Sequence, residues 1–226
     1  MHILLAAATE MEIHIIREYL SGETGASIYA QFEIVITGVG GVASTYSLSS
    51  KIHSSRPDLV ICAGIAGSFT EKYAPGKVVQ VNEEVFGDLG VEENGNFKDH
   101  FDLALNDPNA FPFSNKLLIN KTVFEYFSDL KPVRGVTINE ISTHPARIDQ
   151  LKKRHSPDIE SMEGAAFHYV CIMENLPFIH LRAISNFVGE RDKSRWKIDE
   201  AIRNLNNHII QIAKEIISNN LSMRHK

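Results

Sequence analysis

The sequence predicts an α/β fold: three layers, with a central mixed, mostly parallel sheet flanked by helices. Three observations predict it. Short runs that are apolar at successive positions alternate with longer stretches at helical spacing. Strands buried on both faces lose in-out alternation, and such strands belong to parallel sheets covered by helices. The chain is also long enough, at 226 residues with 43% apolar and 23% charged side chains, to bury a large core without disulfides or metals. No linker, repeat or low-complexity tract interrupts it, so one domain is expected over residues 1–226.

The elements follow in order. His2–Ala8 reads as a buried strand and Glu10–Leu20 as the amphipathic helix after it. Gln31–Thr37 is a strand running into Gly38-Val39-Gly40-Gly41, and Val42–His53 is a helix that Pro57 stops. Asp58–Ala63 is a near-continuous apolar strand. Lys77–Val85 and Arg134–Ile138 are further strands, Met162–Glu174 is a helix, Phe178–Ser185 a strand, and Ile198–Ile217 a long amphipathic helix. Asp88–Pro112 is polar and irregular, so it is either a lid or binding loop, or a surface excursion.

Charge and composition narrow the function. A net charge of -5 and a pI near 6.1 argue against a nucleic-acid or anionic-membrane partner, which would want a basic face. The one basic cluster, Lys152-Lys153-Arg154, reads as a solvated helix end. Cys62 and Cys171 lie in apolar surroundings and read as buried free thiols. No apolar run approaches bilayer length. The opening apolar run is too short for a signal peptide and meets carboxylates at once, so the cytoplasm is the expected compartment. His144, His155, His168 and His180 match no zinc spacing; neither metal nor cofactor is expected.

In such sheets ligands sit beyond the carboxyl ends of the strands. Glu12 lies there, in the first turn of a helix, where it is a dipole-stabilised terminal charge or a general base. Gly64-Ile65-Ala66-Gly67 follows a buried strand, and its glycines allow a ligand close to the backbone. It is not a dinucleotide fingerprint, because no GxGxxG opens a helix. Glu163 opens an Ala- and Gly-rich helix, either capping it or accepting hydrogen bonds from a sugar diol. Arg182, within an apolar strand, requires a carboxylate partner, Glu163 or Glu12. Ser185 and Asn186 end that strand, and Trp196 follows ten residues on.

Together these stretches resemble the nucleoside phosphorylase superfamily, in the branch of the methylthioadenosine/adenosylhomocysteine nucleosidases. The resemblance covers residues 1 to about 217. It is carried by Glu12, the Ala63-Gly64-Ile65-Ala66-Gly67 turn, Met162-Glu163, Leu176-Pro177-Phe178 and Arg182-Ala183-Ile184-Ser185. Ser161–Phe167 and Ser185–Asp192, followed by Trp196, look most like the futalosine hydrolases. The resemblance implies a water-activating base at Glu12 and a ribose-binding acid at Glu163, with Met162 packed against the sugar. It also implies a supporting arginine at Arg182, a neighbour of the purine-binding residue at Ser185, and Trp196 against the 5′ substituent. Ile65 stands where the nucleosidases carry a serine. The stretch Ile141-Ser142-Thr143-His144 aligns with their purine-stacking aromatic yet offers none, so that role is unassigned, with Thr143 of the stretch expected as a substrate contact. A purine nucleoside is the implied small-molecule partner, and a homo-oligomer the implied assembly.

Asn186 is the informative departure, since adenine-specific nucleosidases carry an aspartate there. An amide offers one donor and one acceptor side and suits a 6-oxopurine such as hypoxanthine, whereas a carboxylate would face O6 and repel it; the flipped amide also pairs with adenine, so the preference is permissive and not exclusive. The expected reaction is hydrolysis of futalosine to hypoxanthine and dehypoxanthine futalosine, a step of menaquinone synthesis. Phosphorolysis would need cationic and backbone donors, where this chain has Glu10 and Glu12. The alternatives are a methylthioadenosine/adenosylhomocysteine nucleosidase, a phosphorylase, and a non-catalytic nucleoside-binding module.

Overall fold

The computed structural model of the chain describes residues 1–22, 32–123, 130–219 and 224–225. Gln31, the first residue expected in the second strand, lies outside them. The chain starts with β1 (Ile3–Ala7), α1 (Glu10–Ser21), β2 (Phe32–Ile36), α2 (Gly41–Ser54), β3 (Leu59–Ser68) and β4 (Val78–Phe86). Next come the short strands β5 (Gly90–Glu93), β6 (Asn96–Asp99), β7 (Leu118–Ile119) and β8 (Thr122–Val123). Then follow β9 (Pro132–Thr137), α3 (Pro145–His155), β10 (Ile159–Ser161), α4 (Gly164–Met173), β11 (Phe178–Phe187), α5 (Ile198–Asn219) and β12 (Arg224–His225), which pairs with β8.

The main sheet runs β10-β9-β4-β11-β3-β1-β2, with β7 added on β4. β1 is parallel to β2 and β3, β11 to β3, and β9 to β4 and β10. The β4–β11, β4–β7 and β3–β10 pairs are antiparallel. The sheet is mixed, as expected, but its parallel character is partial and it is not one open layer. β3 is ten residues long. Its first half, Leu59–Ala63, pairs with β1, and its end, Gly67 and Ser68, turns to pair with β10. Strands β3, β11, β4, β9 and β10 thereby close into a barrel.

Packing reflects this division. One face of the open part buries Leu5, Ile61 and Leu181 against Ile13, Ile16 and Leu20 of α1 and Leu205 and Ile209 of α5. The other buries Leu4, Val60 and Cys62 against Leu48 and Ile52 of α2 and Phe167 and Cys171 of α4. Inside the barrel Ala66, Val79, Val81, Val133, Ile159 and Ile184 pack together. Both cysteines are free and buried.

The irregular segment 88–112 contains a hairpin, β5 and β6, joined through Asn94-Gly95, both at positive φ. Arg154, in the last turn of α3, reaches it. It donates to Phe97 O (3.0 Å) and pairs with Asp99 and Asp102, which Lys116 also holds. The basic cluster is therefore a helix end, as expected, but one of its arginines anchors the excursion. Among the described residues no helix is long and apolar enough to cross a membrane.

Candidate active site

Strand ends β1, β3, β10 and β11 converge on a cavity of about 230 Å³. Glu12, Ile65, Gly67, Met162, Glu163, Ser185, Asn186 and Trp196 all line it. A larger cavity of about 600 Å³, bounded by Phe111, Pro112 and Phe178, has no carboxylate or histidine in its wall.

Glu12 is buried in the first turn of α1 and held at both oxygens. Oε2 accepts from the backbone N–H (3.0 Å) and hydroxyl (3.1 Å) of Thr9, the residue capping the helix, and Oε1 accepts from Ile65 N–H (3.0 Å). The reciprocal Thr-to-Glu arrangement is a helix-start device; here it also aims a carboxylate at the cavity. Glu12 is thus cap and cavity residue at once.

Glu163 occupies the N-cap of α4, one residue before the helix proper. Its Oε1 accepts from Gly40 N–H (3.0 Å). Gly40 lies at φ +87°, a backbone state that L side chains rarely adopt, which is why the Gly38–Gly41 turn can present that N–H. Glu163 Oε2 accepts from both Nη1 and Nη2 of Arg182, each at 3.3 Å. The carboxylate partner demanded by the buried arginine is therefore Glu163, not Glu12. Arg182 also donates from Nη1 to Ile65 O (3.1 Å) and from Nε to His180 Nε2 (2.9 Å). The backbone of Ile65 thus joins the two acids: its N–H faces Glu12 and its carbonyl faces Arg182.

Ser185 is the extra residue of a bulge in β11, between Ile184 and Asn186. Bulges re-aim side chains next to sites. Here Ser185 Oγ donates to Asn186 Oδ1 (2.7 Å), and Asn186 Nδ2 donates to Phe187 O (2.9 Å). One amide N–H and one oxygen lone pair remain for a ligand. Trp196 Nε1 donates to Glu190 O (3.0 Å), and the Arg191 guanidinium lies 5.5 Å from the Trp196 ring centroid. Arg191 lines the cavity and forms no ion pair with any described residue.

Thr143 is not brought to the site. It is exposed, while Ile141 lines the cavity instead. The neighbouring Ser142 N–H donates to the buried Glu160 Oε1 (3.1 Å), which turns Thr143 outward. No residue of 88–112 borders the cavity, so within one chain this segment is a surface excursion.

Several site residues gave no sequence signal. Glu160 lines the cavity, and burial raises its pKa. Glu84 is fully buried behind Glu163 and Arg182. Its Oε2 accepts from the Thr137 hydroxyl (3.0 Å), while Oε1 has no partner. Burial pushes the Glu84 carboxyl up to about 8, against the opposing pull of Arg182. Glu160 sits in a three-residue strand, and Glu84 is one of two successive glutamates near the end of β4 that the sequence alone does not tell apart. Among the described residues no three His, Cys, Asp or Glu side chains are grouped to hold a metal ion.

The Phosphorylase superfamily model matches residues 4–218. The chain belongs to that superfamily. It is 30% identical over 174 residues to a futalosine hydrolase of Thermus thermophilus, covering 76% of each chain. It is 27% identical over 206 residues to a 5′-methylthioadenosine/S-adenosylhomocysteine nucleosidase of Anoxybacillus flavithermus, covering 84% of this chain and 87% of that one. A solved nucleosidase of the latter kind from Colwellia psychrerythraea, in complex with adenine, shares the fold at a TM-score of 0.75, with 18% identity over 95% of both chains.

Proposed function

We propose that this superfamily member hydrolyses the N-glycosidic bond of a purine nucleoside, with futalosine as substrate. The observation that carries the hydrolytic reading is Glu12: a carboxylate fixed by three hydrogen bonds, facing the same cavity as the Glu163–Arg182 pair. Glu12 takes a proton from water as the water oxygen bonds to the anomeric carbon. The bond to the purine nitrogen breaks with its electron pair going to the base, through an oxocarbenium-like sugar. Glu163 accepts hydrogen bonds from the ribose hydroxyls and orients the sugar. Asn186 supports the departing base, donating to O6 and accepting from N7–H. Phosphate is disfavoured as nucleophile, because the position its donors would take is held by Glu10 and Glu12.

Two features favour futalosine over methylthioadenosine. Asn186 suits hypoxanthine, as argued from its donor and acceptor sides. Arg191, stacked on Trp196 and lacking an ion-pair partner, offers a cation to an acidic aromatic 5′ substituent. A cytoplasmic homo-oligomer completes the reading, and exposed Val42, Tyr46 and Phe111 (87, 75 and 71%) offer apolar surface for it.

The test is base release from futalosine and from methylthioadenosine, each with and without phosphate. Hypoxanthine released from futalosine alone, at a rate indifferent to phosphate, is expected. Adenine release from methylthioadenosine at a comparable rate would make the chain a general nucleosidase, and dependence on phosphate would make it a phosphorylase.

A further inference from the structure

Behind the Glu163–Arg182 pair runs a chain of polar groups that the reaction above does not use. His180 and Arg182 are two residues apart on β11 and so share one face. Arg182 Nε donates to His180 Nε2 (2.9 Å), His180 Nδ1 meets His168 Nε2 (3.1 Å), and His168 Nδ1 meets the Leu118 carbonyl (3.1 Å). Arg182 is 1% exposed and both histidines 0%. Leu118 belongs to β7, at the far end of the excursion strands.

The direction of every hydrogen bond is fixed by elimination. An arginine Nε–H can only donate, so His180 Nε2 accepts and its proton sits on Nδ1. That proton is donated to His168 Nε2, so the His168 proton also sits on Nδ1 and goes to the carbonyl. Burial and the Arg182 charge hold the His180 imidazole well below its ordinary pKa, and burial pushes His168 down to about 3. Both are neutral, and each nitrogen has a partner. Were either ring to take the other tautomer, one buried N–H would face another.

We propose that His180 and His168 are positioning residues: with Arg182 they form a one-way chain of hydrogen bonds that locks the Glu163 carboxylate in its substrate-facing orientation. Glu163 has two anchors. Gly40 lies on a turn, whereas among the described residues the Nε–H of Arg182 has His180 as its hydrogen-bond partner, with the Phe167 ring centroid 5.6 Å from the guanidinium carbon. The inference rests on Glu163 as the ribose-binding acid.

The test pairs two measurements. Long-range ¹H–¹⁵N correlation spectra of the ¹⁵N-labelled protein report the tautomers; both histidines are expected as the neutral Nδ1–H form, the minority form of free histidine. Steady-state rates on futalosine and its 2′-deoxy counterpart report the positioning. In His180→Leu, kcat on futalosine should fall about 10- to 100-fold, with a smaller loss on the deoxy compound, so that the preference for ribose collapses. His180→Gln, whose carboxamide oxygen can accept from Arg182 Nε, should recover much of that preference. An Nε2–H tautomer at either histidine, or equal losses on both substrates, overturns the proposal. If His180→Leu does not fold, His168→Phe decides: it leaves the Arg182–His180 contact and should weaken the ribose preference, whereas an unchanged preference overturns the proposal. A wild-type enzyme indifferent to the 2′-hydroxyl would instead overturn the reading of Glu163 on which the chain depends.

Discussion

A Cβ added at Gly64 would collide with Arg182 Nη1 and lie 2.9 Å from Glu12 Oε1. The missing side chain is what lets the Arg182 guanidinium and the Glu12 carboxylate crowd together over the same face of the strand. Gly64→Ala should therefore cost about 100-fold in kcat through displacement of both groups, while far-UV circular dichroism stays native. An enzyme unaffected by the methyl group would show that the two residues need not meet there. At Asn186, exchange for aspartate replaces a donor with an acceptor. Asn186→Asp should lower hypoxanthine release roughly 100-fold and raise adenine release from methylthioadenosine, read by chromatography of the freed base. Glu12 and Asn186 were legible as polar residues just past or at the end of apolar strands, Arg182 as a charge inside one, and Glu163 as an acid opening a small-residue helix. Glu84, Glu160 and His180 were not, because their roles depend on partners, Thr137, Ser142 and His168, that only the fold brings against them.

Among elements, the strands buried on both faces announced themselves: β1 and the first half of β3 are apolar residue by residue, and β11 carries its polar residues among apolar ones. The short strands β5–β8 and β12 went unread, and so did β10 and all but the basic end of α3. β10 is only Ile159-Glu160-Ser161, and its polar residues serve the cavity. α3 buries only Leu151 and His155, so no apolar stripe marks it. Its function is to anchor the β5–β6 excursion through Arg154. Burial alone would raise the Asp99 carboxyl, but Arg154 and Lys116 outweigh it and hold it below the ordinary range. A lowered folded pKa gives stability that is present above the unfolded value and lost as pH falls through the folded one. Hydrogen exchange in β5 and β6, corrected for intrinsic rate, should therefore rise in acid below the usual carboxylate range. Arg154→Met should produce the same loosening at neutral pH, a cost of about 1–3 kcal/mol. Unchanged protection in that variant would mean the hairpin is held by its aromatic contacts instead.

Across the whole molecule, alternation of strands and helices was enough to place the layers, but not to show that the sheet closes. Closure depends on the end of β3 leaving β1 for β10, a choice made by Gly67 and Ser68 that leaves no periodic trace. It sets the cavity at the barrel mouth and buries Glu84 completely. With a folded pKa of about 8, above that of the unfolded chain, Glu84 favours the fold fully at low pH. Stability should then fall as pH rises through that window, by about 1.4 kcal/mol per pH unit. Glu84→Gln should flatten this slope in denaturant titrations between weakly acidic and weakly alkaline buffers; an unchanged slope would place the titration elsewhere. The central claim is that Glu12 activates water, and the most direct measurement is kcat of Glu12→Gln on futalosine, alongside its melting temperature. A loss of about 10²–10⁴-fold with the melting temperature near that of the wild type is the predicted result. Full activity in that variant would contradict it.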